Sequence, residues 1–155
     1  MAIDGIYLYS LVEDLKKSIL NSKIDKINQP EKDEIIITLR KERKNLKLLV
    51  SASPKYPRFN LTEVIKANPL QAPMFTMVLR KYLIGGKIID IVQLEGDRIV
   101  KFLIESSDEL GFNSIYTLIV EIMGRHSNII LTQNNKIIDS IKRIPPSISR
   151  IRQLL

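Results

Sequence analysis

Lys23, Ile24, Ile27, Gln29, Glu31, Asp33 and Ile35 return, in the same order and at one constant offset, as Lys87, Ile88, Ile91, Gln93, Glu95, Asp97 and Ile99. The residues ahead of them keep that register, with Leu15 matched to Leu79 and Lys17 to Lys81. After a small change in length, Leu48, Val50, Leu61 and Thr62 correspond to Leu118, Val120, Leu131 and Thr132. So many matches in register imply a chain made of two copies of one supersecondary unit, each too small to bury its own apolar face.

In the first copy Leu11, Leu15 and Ile19 recur at helical spacing after Asp4, which can cap the first turn, and the run ends near Asn21-Ser22. Residues 23–29 alternate around Ile24 and Ile27, 30–33 read as a turn and 34–40 are rich in β-formers, which together predict a hairpin. Strands follow at 46–52 and, after a proline break, at 58–62. The second copy replays the order. Residues 74–84 carry a helical stripe of Phe75, Val78, Leu79 and Tyr82 that stops at Gly85-Gly86, where left-handed backbone angles cost little. Strands are predicted over 87–94, 98–105, 114–123, 127–132 and 136–143, and the connector 63–73, with two prolines, as an extended path. The expected class is α+β: two antiparallel sheets packed as a pseudo-two-fold sandwich flanked by two helices. One domain spans 1–155, with repeat units at about 4–62 and 74–143.

Composition narrows the chemistry. With 45% hydrophobic residues, 155 residues can bury one core. The absence of cysteine excludes disulfides and thiolate metal sites, and a single His126 leaves little for zinc, so neither metal nor cofactor is expected. Gly85-Gly86 follows a helix instead of opening one and lacks the Gly-Lys-Ser/Thr ending, so it is no phosphate loop. Met1 to Gly5 lead into no long apolar run, which predicts no signal or transit peptide, and runs such as Ile35-Ile36-Ile37 are too short to cross a bilayer. A formal charge of +7 favours an anionic partner such as nucleic acid, although solubility alone explains a modest excess, and charge by itself leaves a plain solvated surface the better reading. Lys and Arg against Asp and Glu number 10 to 8, 7 to 4 and 7 to 5 over residues 1–50, 51–100 and 101–155, so there is no basic arm and folding must assemble any anion-binding face.

Several segments carry a resemblance: Met1-Ala2-Ile3-Asp4-Gly5, Lys26-Ile27-Asn28-Gln29-Pro30-Glu31, Leu79-Arg80-Lys81-Tyr82-Leu83-Ile84-Gly85-Gly86, Gly96-Asp97-Arg98-Ile99, and the longer Val120-Glu121-Ile122-Met123-Gly124-Arg125-His126-Ser127-Asn128. They resemble the amino-terminal domain of the NFACT family, bacterial ribosome quality control factors of the RqcH type that older naming calls fibronectin-binding protein A. The likeness covers essentially the whole chain. It implies a fold similar to the amino-terminal domain of formamidopyrimidine-type DNA glycosylases, but not their chemistry. Those enzymes use a proline amine after Met1 and a glutamate beside it, where this chain has Ala2 and Ile3.

The resemblance further implies a non-enzymatic, cytoplasmic, ribosome-associated module. Family members recognise a large ribosomal subunit still holding peptidyl-tRNA and recruit tRNA, alanyl-tRNA in bacteria, so that the stalled chain gains a carboxy-terminal tail. They continue into helix-hairpin-helix, coiled-coil and RNA-binding segments, so this chain is expected to be part of a longer protein. The older name supplies a rival, an adhesin domain for fibronectin or fibrinogen.

The resemblance ties Asp97 and Arg98 to tRNA-dependent tailing. A guanidinium takes two phosphate oxygens or a guanine edge in a planar fork, while a neighbouring carboxylate holds it in place. The plain alternative is a polar turn with a surface ion pair. In the repeat, Asp33-Glu34 aligns with Asp97-Arg98, so the shared Asp suits the turn and Arg98 is peculiar to the second tip, which predicts that only this tip faces RNA. Glu121, Ile122 and Met123 end a strand, where exposed apolar residues can pack on a nucleotide or a partner, and lead to Arg125 and His126, which can reach phosphate or stack on a base, so all five join Asp97 and Arg98 as expected tRNA-binding residues. Here the alternative is that Ile122 or Met123 is core and Gly124 to Asn128 a turn. Arg80, Lys81, Arg143, Arg150 and Arg152 could complete the same face, although taken one by one ordinary solvated charge is the better reading of each. With 6% aromatics and no Trp, contacts to phosphate and sugar should dominate over base stacking, giving steep salt dependence. A lone histidine without an arranged nucleophile points to no catalysis.

Overall fold

The computed structural model describes residues 5–94 and 98–142. The expectations placed on Asp4, Asp97, Arg143, Arg150 and Arg152 lie outside them. Helix α1 spans Gly5–Ile19, and strands β1 to β4 span Lys23–Glu31, Glu34–Lys41, Lys44–Ser51 and Arg58–Thr62. Helix α2 spans Met74–Leu83, and β5 to β9 span Lys87–Gln93, Ile99–Ser107, Asn113–Glu121, Asn128–Gln133 and Lys136–Ser140. Each helix buries one stripe: Leu8, Val12, Leu15 and Ile19 of α1, and Phe75, Leu79 and Leu83 of α2.

The strands form one antiparallel sheet in the order β4-β3-β2-β1-β5-β6-β7-β8-β9, which corrects the expectation of two separate sheets. The reason lies where each helix hands over to its first strand. Asn21, with φ 68°, and Gly85, with φ 83°, turn the chain so that β1 and β5 begin side by side. Their starts satisfy each other's backbone: Asn21 donates to Ile88 at 2.8 Å, Ile88 to Ser22 at 3.0 Å, Ile24 to Gly86 at 2.8 Å and Gly85 to Ile24 at 2.8 Å. Unpaired edges there would leave these groups without partners.

The sheet also curls. Strands β4 and β6 are five places apart in the order, roughly 24 Å on a flat sheet at the usual spacing. Yet the rings of Phe59 and Phe102 meet edge to face at 5.8 Å, with an interplanar angle of 88°. The apolar faces of the two halves therefore close on one another and, with both helices, make a single core.

Strand register refines the repeat. Both hairpins slip at the same point, between Ile24 and Lys26 in β1 and between Ile88 and Asp90 in β5. Ile27 faces Ile37 while Ile91 faces Phe102, so Ile37 and Phe102 are counterparts and the second turn is one residue longer. The match of Ile35 to Ile99 is thereby corrected: Val100 stands for Ile35, Ile99 for Glu34 and Arg98 for Asp33. The matches beyond hold, since Ile37 pairs with Leu48 and Phe102 with Leu118. A second length difference separates the halves at the next turn. Lys41 and Lys44 close a two-residue turn through Glu42 and Arg43, both at positive φ, whereas their counterparts Ser106 and Ser114 are joined by residues 107–113.

Candidate nucleic-acid interface

The ends of β6, β7 and β8 meet at one corner of the second half. The amide of Ile122 donates to the carbonyl of Arg98 at 2.9 Å, which sets Arg98, exposed at the entry of β6, against the exit of β7. A short 3-10 turn, Gly124–His126, follows and carries the exposed Arg125 and His126. It is tightly fastened: His126 donates to Met123 at 3.1 Å, Ser127 to Gly124 at 3.0 Å, and Met123 to the hydroxyl of buried Ser127 at 2.9 Å. Buried Asn128 accepts from Lys142 at 3.0 Å and from Ile129 at 2.9 Å and donates to the Lys142 carbonyl at 3.0 Å, tying the end of β9 to the same corner.

Of the residues singled out from sequence, Arg98, Arg125 and His126 share this exposed corner. Met123 is half-buried against Ile99, Ile119 and Ile130. Ile122 belongs to the main core and Glu121 is buried, paired in the ladder with Ile99 and Asn128, so neither reaches the surface as folded. Asp97 falls outside the described residues.

The first half provides an internal control. Residues 52–57 form a loop of the same length as 122–127, because Val50 pairs with Phe59 as Val120 pairs with Ile129. Lys55 and the exposed Tyr56 thus correspond to Arg125 and His126, and Asp33 to Arg98. Glu34 is not the counterpart of Arg98 and is no surface anion. It is buried, and both its oxygens accept from Lys66, at 3.0 and 2.8 Å. Lys66 also lies 3.7 Å from Glu31, and these carboxylates, Glu34 first, hold its ammonium above the ordinary lysine value. Arg58 is a further exposed cation at the first end, so the clear difference is one of sign at a single matched position: carboxylate at Asp33, guanidinium at Arg98.

Arg80 is occupied elsewhere. Its Nε donates to the Ile27 carbonyl at 2.8 Å and its Nη2 to Asn28 Oδ1 at 3.0 Å, while Thr76, one turn earlier, donates to Gln29 Oε1 at 2.8 Å. Gln29 in turn donates to the Lys32 carbonyl at 3.0 Å. The polar stretch Asn28-Gln29 thus fastens α2 to β1, a role that spacing alone does not announce. Lys81 lies 5.3 Å above the Tyr82 ring. Among the described residues no three His, Cys, Asp or Glu are grouped to hold a metal, and no helix is long and apolar enough to cross a membrane.

A family model described as NFACT N-terminal and middle domains matches residues 4–155. The chain is 45% identical over 157 residues to the Rqc2 homolog RqcH of Bacillus subtilis, covering all of this chain and 28% of that protein. It is 43% identical to the Rqc2 homolog RqcH of Streptococcus pneumoniae at the same coverage, and thus spans little more than a quarter of the length of these relatives. Among solved structures it is similar to the N-terminal domain of the fibronectin-binding protein PavA from Streptococcus pneumoniae, with TM-score 0.89 and 43% identity over 92% of this chain and 54% of that one. It is also similar to the N-terminal part of the fibronectin/fibrinogen-binding protein FBPS from Streptococcus suis, with TM-score 0.92 and 42% identity over 99% and 58%.

Proposed function

The chain belongs to the family of NFACT N-terminal and middle domains, and on that premise we propose that it is the tRNA- and large-ribosomal-subunit-binding module of a cytoplasmic, ribosome-associated quality control factor. In this role the module grips tRNA, alanyl-tRNA by family resemblance, beside a large subunit that still holds peptidyl-tRNA. It supports carboxy-terminal alanine tailing of the stalled chain without catalysing a reaction itself. The ribosome carries out peptidyl transfer.

The observation that carries this reading is the corner where Arg98, exposed at the entry of β6, lies beside the backbone-bonded turn that exposes Arg125 and His126. A guanidinium held by a rigid backbone suits phosphate and base edges alike. Asp97 is read as the orienting neighbour of Arg98. Glu121, Ile122 and Met123 are read as the support under the corner, acting through its position. Contacts of this kind release counterions, so affinity should fall steeply with salt.

A second reading, that this domain docks fibronectin or fibrinogen, follows from the names of the solved relatives. One comparison separates the two: binding of the full chain to fluorescently labelled tRNA and to immobilised fibronectin, each across a salt series. The tRNA reading requires tRNA affinity that Arg98→Ala weakens, with a shallower salt slope. Fibronectin binding that ignores Arg98, without measurable tRNA binding, overturns it.

A further inference from the structure

The turn between β6 and β7 is five residues longer than its counterpart between β2 and β3, so the fold itself does not need residues 107–113. They are nevertheless tightly organised. The Asp108 carboxylate accepts from the amides of Leu110 and Phe112, both at 2.9 Å. The Asp108 amide donates to the Phe112 carbonyl at 2.9 Å, and Gly111, at φ +86°, donates to the Asp108 carbonyl at 3.0 Å. Ser107 Oγ donates to Asn113 Oδ1 at 2.7 Å.

What this fixed tip displays is apolar: Leu110 is 81% exposed and Phe112 68%. Its counterpart in the first half, Glu42-Arg43, is charged. Beside the tip lies a concavity of about 400 Å³ lined by Lys81, Tyr82, Asp108, Glu109, Leu110 and Tyr116. The tyrosine rings sit 5.4 Å apart, and burial pushes the Tyr116 phenol up. Two carboxylates here outnumber one ammonium, in a chain of net charge +7. The β6–β7 ladder, from Ile99 opposite Glu121 to Ser107 opposite Asn113, separates this corner from Arg98 by roughly 27 Å.

We infer that the 107–113 tip and the adjoining tyrosine-lined concavity dock a protein surface carrying an arginine or lysine beside an apolar cleft. Leu110 and Phe112 fill the cleft, and the cation seats in the concavity within reach of Asp108 and Glu109. A tip already fixed by its own hydrogen bonds loses little conformational freedom on docking. Charge favours protein over RNA, because the carboxylates that attract a basic side chain repel phosphate. The inference rests on the ribosomal reading in one respect: the large subunit is where such a surface is met.

The test places the photoreactive p-benzoylphenylalanine at position 112 of the full chain, bound to purified large ribosomal subunits carrying peptidyl-tRNA. A crosslink to a ribosomal protein is expected. Replacing residues 107–113 by Glu-Arg, the turn of the first half, should weaken subunit binding about tenfold or more and leave tRNA affinity unchanged. Leu110→Ser with Phe112→Ser, which keeps the loop length, should weaken it likewise. A crosslink to rRNA, or unchanged subunit affinity in the Ser variant, overturns the inference while the unaltered protein still binds. If the unaltered protein does not bind the subunit at all, the ribosomal reading fails and this inference with it.

Discussion

Asp33 and Arg98 occupy the same place in the two halves of the sheet. The carbonyl of Asp33 accepts from Ala52 at 2.7 Å, and that of Arg98 accepts from Ile122 at 2.9 Å. Their backbones do one job, and only their side chains differ, which makes the pair an internal control for anything the guanidinium does.

Arg98→Ala is expected to weaken tRNA binding by about tenfold and lower the salt slope by about one, whereas Asp33→Ala leaves both unchanged. Anisotropy titrations of labelled tRNA at several salt concentrations measure this. Equal losses from the two variants would remove the reason to assign RNA to the second corner.

The contact of Phe59 with Phe102 closes the curled sheet across strands that are far apart in its order. Either residue changed to Ala should cost roughly 3–5 kcal/mol, as for other buried aromatics. The double variant should cost less than the two losses added, by about 1 kcal/mol, because the edge-to-face term is lost only once. Urea unfolding of the four proteins gives the cycle.

The Lys66 ammonium, chiefly through its hydrogen bonds to Glu34, sits above the ordinary lysine value of 10.5. A raised folded value means that the pair's stabilisation is complete below 10.5 and disappears as pH climbs through the folded value. The stability difference between the parent and Lys66→Met, measured by unfolding from pH 8 upward, should therefore shrink as the pH rises beyond 10.5. At neutral pH Lys66→Met should lose about 1–3 kcal/mol, less than for a fully buried pair because Lys66 is partly solvated.

Gly86 admits no side chain. A Cβ there would lie 2.9 Å from both the Leu83 carbonyl and Ile104 Cγ2, so Gly86→Ala should destabilise by about 1–3 kcal/mol. At Gly85 there is space but a left-handed backbone, and Ala should cost roughly 1 kcal/mol. Thermal unfolding of both variants, with Gly86→Ala melting at the lower temperature, checks the order.

Hydrophobic spacing made the helices and strands legible within a few residues, as at Arg58–Thr62, where the break at Pro57 left little choice. The offset between copies was also readable up to the first hairpin. Beyond it, matching Ile35 to Ile99 paired like with like but ignored one added turn residue, which only strand pairing exposes. The continuous sheet was hidden because its join is made by backbone atoms around Ser22 and Gly86, which side-chain patterns do not encode. At the candidate corner, Arg98, Arg125 and His126 read correctly as surface. Alternation does not say which face of a strand end is covered, so Ile122 was legible as interior only as one of two alternatives and Glu121 not at all.

The join between β1 and β5 also bears on how the chain is made. Residues 20–24 take their partners from residues 85–88, and Phe59 waits for Phe102. During synthesis the amino-terminal copy therefore leaves the exit tunnel with its greasy side uncovered and cannot finish until the later copy arrives. A pause before the later copy emerges would leave a half-built intermediate with uncovered apolar surface, the kind of species prone to aggregate.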